Sequence, residues 1–136
     1  MRHLHPKEII VSISNYLETK IMDAVFNNVS PTGLPVAARF VKLHTGDPTD
    51  TGAGSPAANT TRQSVTGAAT SNGVFTSVND LVWTNVSTTE IYSFISIWDA
   101  VSAGNVLWTG ALTAPVSVTA GDTFTIPAGS LTVTLD

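Results

Sequence analysis

The chain has 136 residues, of which 43% are hydrophobic and only 12% charged, with a formal net charge of −4 and no cysteine. That length suits one domain able to bury a core without staples, and the missing cysteines exclude a disulfide framework and any thiolate metal site. From residue 43 onward Arg62 is the only base against Asp47, Asp50, Asp80, Glu90, Asp99, Asp122 and Asp136, a balance that repels phosphate and argues against nucleic-acid binding.

Residues 1–13, MRHLHPKEIIVSI, read as an arm. Pro6 blocks an early helix, and Ile9, Val11 and Ile13 alternate as a short strand does. Such a strand needs something to lie on, and a neighbouring subunit is the expected support. Its apolar run, Ile9-Ile10-Val11, is far too short to span a membrane. A helix follows, with Asn15 and Glu18 at capping-box spacing and Leu17, Ile21 and Val25 repeating every four residues. Asn27-Asn28 marks its end. The expected role of this helix is to cover one face of a sheet.

From Pro31 onward the pattern is that of strands. Val36 to Leu43 alternates, and further strands are expected at residues 62–68, 73–78, 81–85, 91–98, 105–112, 116–119, 123–126 and 131–135. Turn residues separate them: Ser71-Asn72-Gly73, Asn79-Asp80, Ala103-Gly104-Asn105, Ala120-Gly121-Asp122 and Pro127-Ala128-Gly129. Threonine suits a half-buried pleat, and the chain holds twenty of them, so β structure is favoured. Short strands at this spacing point to a sandwich or barrel-like domain. In IYSFISIW, Ile91, Ile95 and Ile97 alternate with Tyr92, Phe94 and Trp98. Both faces are apolar, which predicts a central strand covered on both sides, one of them by the helix or another subunit.

One segment and the three tryptophans carry candidate chemistry. KLHTGDPTDTGAGS, residues 42–55, holds His44, Asp47 and Asp50, but it lacks the alternating oxygens and closing glutamate of an EF-hand loop. Asp before Pro, followed by Thr and Gly, is turn chemistry. There is no G-x-S-x-G elbow, and nothing in the pattern selects a serine to pair with His44. Trp83, Trp98 and Trp108 suggest either a sugar platform or packing, and their place in alternating strands favours packing.

SNYLETKIMDAVFNN at 14–28, FVKLHTGDPTDTGAG at 40–54 and NVLWTGALTAPVSVTAGDTFTIPAGSLTVTLD at 105–136 together resemble a family of small tailed-phage virion proteins commonly labelled phage tail fibre proteins. The likeness follows an S-N-Y-L-E-x-K helix, a strand ending in L-H-T-x-D-P, and a closing A-G-D-x-F-x-I-P-A-G. Residues 1–13 precede the usual start of that pattern, and residues 55–90 match it loosely. The resemblance implies no catalytic residue. A short, repeat-free domain cannot form a long fibre alone, so a place on the capsid shell as a decoration protein stays open beside the tail.

The sequence therefore predicts a mainly β fold: a single β-sandwich or barrel-like domain with one N-terminal α-helix over residues 14–136, preceded by an arm at 1–13. It predicts a non-enzymatic virion structural protein with no cofactor and no metal, made in the host cytoplasm and placed on the particle exterior. Its partners are other virion proteins of capsid or tail and further copies of itself, as a homotrimer, with no nucleic acid and no membrane. Subunit or partner contacts are expected at Ile9, Val11, Ile13, Tyr92, Phe94 and Trp98. The alternative is a carbohydrate-binding β module for host-surface glycans, which requires exposed tryptophan. A hydrolase using His44 stands third.

Overall fold

The computed structural model describes residues 2–4, 9–68 and 72–135, without the side chains of residues 9–11; Pro6 lies outside it. In chain order the elements are β1 (His3–Leu4), β2 (Ile9–Ile13), α1 (Asn15–Phe26), β3 (Arg39–His44), β4 (Gln63–Val65), β5 (Val74–Thr76), β6 (Leu81–Trp83), β7 (Glu90–Trp98), β8 (Val106–Val118), β9 (Thr123–Ile126) and β10 (Thr132–Thr134). They form a five-stranded sheet in the order β2-β8-β7-β3-β4, a three-stranded sheet β1-β9-β6 and an antiparallel pair β10-β5 of strands far apart in the chain. The fold is mainly β with one helix, and its separate sheets do not close into a barrel. One buried cluster joins them: Val41, Leu43, Ile95, Ile97 and Leu107 of the large sheet meet Leu81, Trp83, Phe124, Ile126 and Val133 of the smaller ones.

The turns form where the sequence places them. Gly73, Gly104, Gly121 and Gly129 all take positive φ, the backbone region that glycine enters without steric cost. The strands expected at 105–112 and 116–119 join into β8, which runs through Pro115. The register explains how a proline fits there. Pairing with β7 jumps from Phe94↔Ala111 to Tyr92↔Val116, so the residue that cannot donate to a ladder sits where the ladder is broken.

That break corrects the expected facing of the central strand. β7 does lie between β8 and β3, but its phase changes at the irregularity. Tyr92 is fully buried in the core together with Ile95 and Ile97, whereas Ile91 is 51% exposed. Phe94, Ser96 and Trp98 remain on the outer face. Neither the helix nor another subunit is needed to cover Trp98, because the 45–58 loop returns over it.

The helix begins one residue earlier than its expected cap. Ser14 is the N-cap: its Oγ accepts from the Leu17 N–H at 3.3 Å and donates to the Val106 carbonyl at 2.7 Å. Asn27 is the C-cap, as the Asn-Asn pair foretells. Only Leu17 of the helix is buried; Val25, expected on the same stripe, is 66% exposed. The helix covers the sheet with its first turns alone.

The arm behaves differently from expectation. β2 pairs antiparallel with β8, from Ile9↔Leu112 to Ile13↔Trp108, and β1 pairs parallel with β9. The strand inferred from alternation finds its support on the chain's own sheet. Arg2 adds a clamp: its Nε and Nη2 donate to Asp122 Oδ2 at 3.1 and 2.9 Å, and its backbone N–H reaches Oδ1 at 3.1 Å. A hydrogen bond from the Thr119 N–H and then the Arg2 contacts hold the Asp122 carboxyl below the usual carboxylate range. Deleting residues 1–13 is therefore expected to lower the melting temperature clearly, since it strips partners from the β8 and β9 edges. An unchanged thermal melt would refute the pairing.

Candidate functional site

The stretch from Lys42 to Ser55 builds a polar cluster around His44. In β3, Val41 and Leu43 point into the core, so Lys42 and His44 face outward. The chain then turns sharply. Asp47 Oδ1 accepts from the Thr49 N–H at 2.8 Å, Gly54 N–H donates to Pro48 O at 2.9 Å, and Thr45 N–H donates to Ser55 O at 2.9 Å. This is the turn chemistry expected of Asp-Pro-Thr, and it folds the loop back onto the outer sheet face.

His44 is consequently 0% exposed. Its Nδ1 lies 2.8 Å from Gly54 O and its Nε2 lies 2.7 Å from Ser96 Oγ. A carbonyl can only accept, so Nδ1 carries the proton and Nε2 accepts from the serine hydroxyl. Ser96 Oγ in turn accepts from Trp98 Nε1 at 2.7 Å. Burial holds the His44 pKa below its ordinary value, and the nearby Lys42 and Arg62 charges act in the same direction.

A serine–histidine pair with a carbonyl behind it has the outline of a nucleophile and its base. Here Ser96 is also 0% exposed, so no substrate atom reaches the hydroxyl. The arrangement holds the loop against the sheet.

Trp98 completes the cluster. The Arg62 guanidinium stands 3.9 Å from the ring centroid, anchored by Nη1 hydrogen bonds of 2.7 and 2.8 Å to the carbonyls of Ala100 and Ala103. Gly52 lies against the benzo edge; a Cβ there would come within 2.5 Å of the ring, and its φ is +68°. Gly52→Ala is expected to cost about 1–3 kcal/mol through strain and overpacking, measured by urea denaturation. A neutral result would mean the loop does not lie on Trp98.

The expected contact residues are dispersed. Ile13 is half-buried and packs against the core. The side chains of Ile9 and Val11 lie outside the described residues, though their backbones are in β2. Tyr92 is enclosed by its own chain, with Phe124 at 5.1 Å between ring centroids. Trp98 is only 9% exposed under the loop. Phe94 is half-buried and lines a shallow cleft of about 440 Å³ with Ser12, Asp47, Thr49, Asp50 and Thr109.

None of the tryptophans is exposed: Trp83 is at 1%, and Trp108 is half-buried beside the core. A sugar platform built on tryptophan is therefore missing among the described residues. No group of three or more His, Asp or Glu side chains among them is placed to hold a metal ion, and no helix among the described residues is long and apolar enough to cross a membrane.

Sequence reasoning missed the most exposed apolar feature. Met22, Val25, Phe26 and Val29 stand 53%, 66%, 72% and 50% exposed. The available signal was that the apolar residues of α1 wrap more than one face, beyond what a helix seated on one sheet requires.

A family model described as Podophage GP4 fiber I protein gp80 matches residues 12–134. No curated protein matches the chain.

Proposed function

The chain belongs to the family of podophage GP4 fiber I protein gp80, which gives it a structural place in the phage virion, and from that premise we propose that it is a non-enzymatic subunit on the particle exterior. It assembles there through contacts between copies, as a homotrimer, and with other virion proteins. One observation carries the reading: the family match runs from the end of β2 through β10, while the groups best suited to chemistry, His44 and Ser96, are shut beneath the 45–58 loop. A chain with 12% charged residues and several large exposed apolar side chains is suited to burying surface against neighbours. Among the residues first expected at such contacts, Ile13 and Phe94 keep accessible surface.

Labelling the protein in purified particles and imaging them tests this. Label on the tail supports the fibre position, label on the shell supports a decoration role, and absence from washed particles overturns the virion reading. A second reading draws on the Phe94 cleft, where one aromatic ring lies among Asp47, Asp50 and hydroxyls, a combination suited to a sugar. It requires saturable glycan binding that Phe94→Ala abolishes.

A further inference from the structure

We infer that the trough between the large sheet, the β5–β10 pair and α1 binds an aliphatic carboxylate, its head at Arg39 and its chain along Trp108 and Leu135. Such a site is independent of how the protein assembles.

Three cavities adjoin one another there. The innermost, about 180 Å³, lies between the large sheet and the β5–β10 pair, walled by Val65, Phe75, Ile97, Trp108 and Val133 beside Arg39. Phe75, Trp108 and Val133 also wall a second, of about 210 Å³, which reaches Leu135. Leu135 in turn borders a third, of about 320 Å³, against Ile21 and Met22 of α1. Exposure rises along this line: Val65 and Ile97 are nearly sealed at 1% and 3%, while Leu135 and Met22 stand 48% and 53% exposed. The trough is open at the helix and enclosed at its inner end.

That inner end is short of acceptors. Among the described residues three buried side-chain atoms lack a hydrogen-bond partner, and two of them, Arg39 Nε and Trp108 Nε1, belong to residues lining the innermost cavity. Buried polar groups are nearly always paired, so two orphans at one cavity call for a missing partner. The Arg39 guanidinium stands 6.0 Å from the Phe75 ring centroid, and its Nη1 donates to Val36 O at 3.4 Å. No carboxylate among the described residues pairs with it.

These groups select the chemistry of the occupant. Guanidinium and indole can only donate, and the other side chains lining the innermost cavity are hydrocarbon. Water or an alcohol placed there would find no acceptor for its own hydrogen. A carboxylate brings acceptors alone, carries the charge opposite to Arg39, and fits the fork that Nε makes with an Nη. Volume sets the rest. An apolar cavity of about 150 Å³ admits benzene, so the innermost one takes the head and a few methylenes, and the outer two take the remaining chain. Glu18 borders the outermost cavity, and its charge turns a carboxylate away from that end.

Isothermal titration calorimetry on the full chain at neutral pH tests this, with octanoate, butyrate and octanol as probes. One octanoate per chain is expected, with a Kd below about 1 mM. Each buried methylene is worth roughly a three- to fourfold gain in affinity, so butyrate should bind at least roughly tenfold more weakly. Octanol on the parent, and octanoate on Arg39→Met, should each lose roughly tenfold or more. Octanoate should also shift the proton–nitrogen NMR resonance of the Trp108 indole, identified by its loss in Trp108→Phe. That readout does not depend on Arg39→Met folding. Octanol binding as tightly as octanoate, full affinity in Arg39→Met, or an unmoved Trp108 resonance overturns the inference. So does a parent that binds no octanoate, whether or not a second copy is found to cover the trough.

Discussion

Replacing His44 with alanine is expected to lower stability by roughly 2–4 kcal/mol, from a cavity plus stranded hydrogen-bonding groups. The side chain is completely enclosed. Without it, the Gly54 carbonyl of the loop loses its donor and the Ser96 hydroxyl beneath the loop loses its acceptor. A loop histidine on the surface would tolerate the change within about 0.5 kcal/mol, so urea denaturation separates the two cases.

The same network makes the parent acid-sensitive. His44 is held below its ordinary pKa, first by burial and further by Lys42 and Arg62, against hydrogen bonds to Gly54 and Ser55 that act the other way. The unfolded chain therefore takes up a proton at a pH where the folded chain does not. The stabilisation from a neutral His44 is complete above the unfolded value of about 6.5 and falls as pH drops below it, by at most about 1.4 kcal/mol per pH unit. Protonation also makes Nε2 a donor toward Ser96 Oγ, so the serine hydroxyl proton must turn away from its only acceptor. Between pH 7 and 5 the stability of the parent should fall more steeply than that of His44→Ala. Parallel curves would show that His44 is not buried neutral.

The second large effect is expected at the phase change in β7. Tyr92→Ala should cost about 3–5 kcal/mol, the usual range for truncating a buried aromatic, because its ring packs edge-on against Phe124. Ile91→Ala, one residue away, should stay within about 0.5 kcal/mol. Tyr92→Phe should be neutral or stabilising by up to about 1 kcal/mol, since the buried phenol oxygen has no hydrogen-bond partner and its removal relieves a desolvated group. Burial, helped by the Glu90 charge, pushes that phenol up to about 12. Equal costs at Ile91 and Tyr92 would mean that the ladder runs through without its irregularity.

Much of this protein was legible residue by residue. Turns at Asn72-Gly73, Gly104, Gly121 and Gly129 depend on which residues tolerate positive φ, a local property of the backbone. Strand positions followed from alternation, the helix from its four-residue repeat and Asn27 stop, and the Asp47 turn from its own side chain reaching two residues on. The closing A-G-D-T-F-T-I-P-A-G run carried the likeness to phage virion proteins, consistent with the family match over residues 12–134.

Tertiary structure decided whatever depends on partners far apart in the chain. Alternation cannot show that β7 shifts phase at Tyr92, because the shift arises from where Val116 and Ala111 meet it across the sheet. Nor can it show that β2 lies on β8, about a hundred residues away, or that Arg2 clamps Asp122. The burial of His44 is not legible from the sequence, because it is made by a loop that closes over it, with Ser96 and Trp98 arriving from another strand. Val25 read as part of the buried stripe because an apolar helical repeat signals burial without saying against what, whereas it is 66% exposed. Only the packed fold shows that α1 buries Leu17 in its first turn and leaves Met22, Val25 and Phe26 of its last turns exposed.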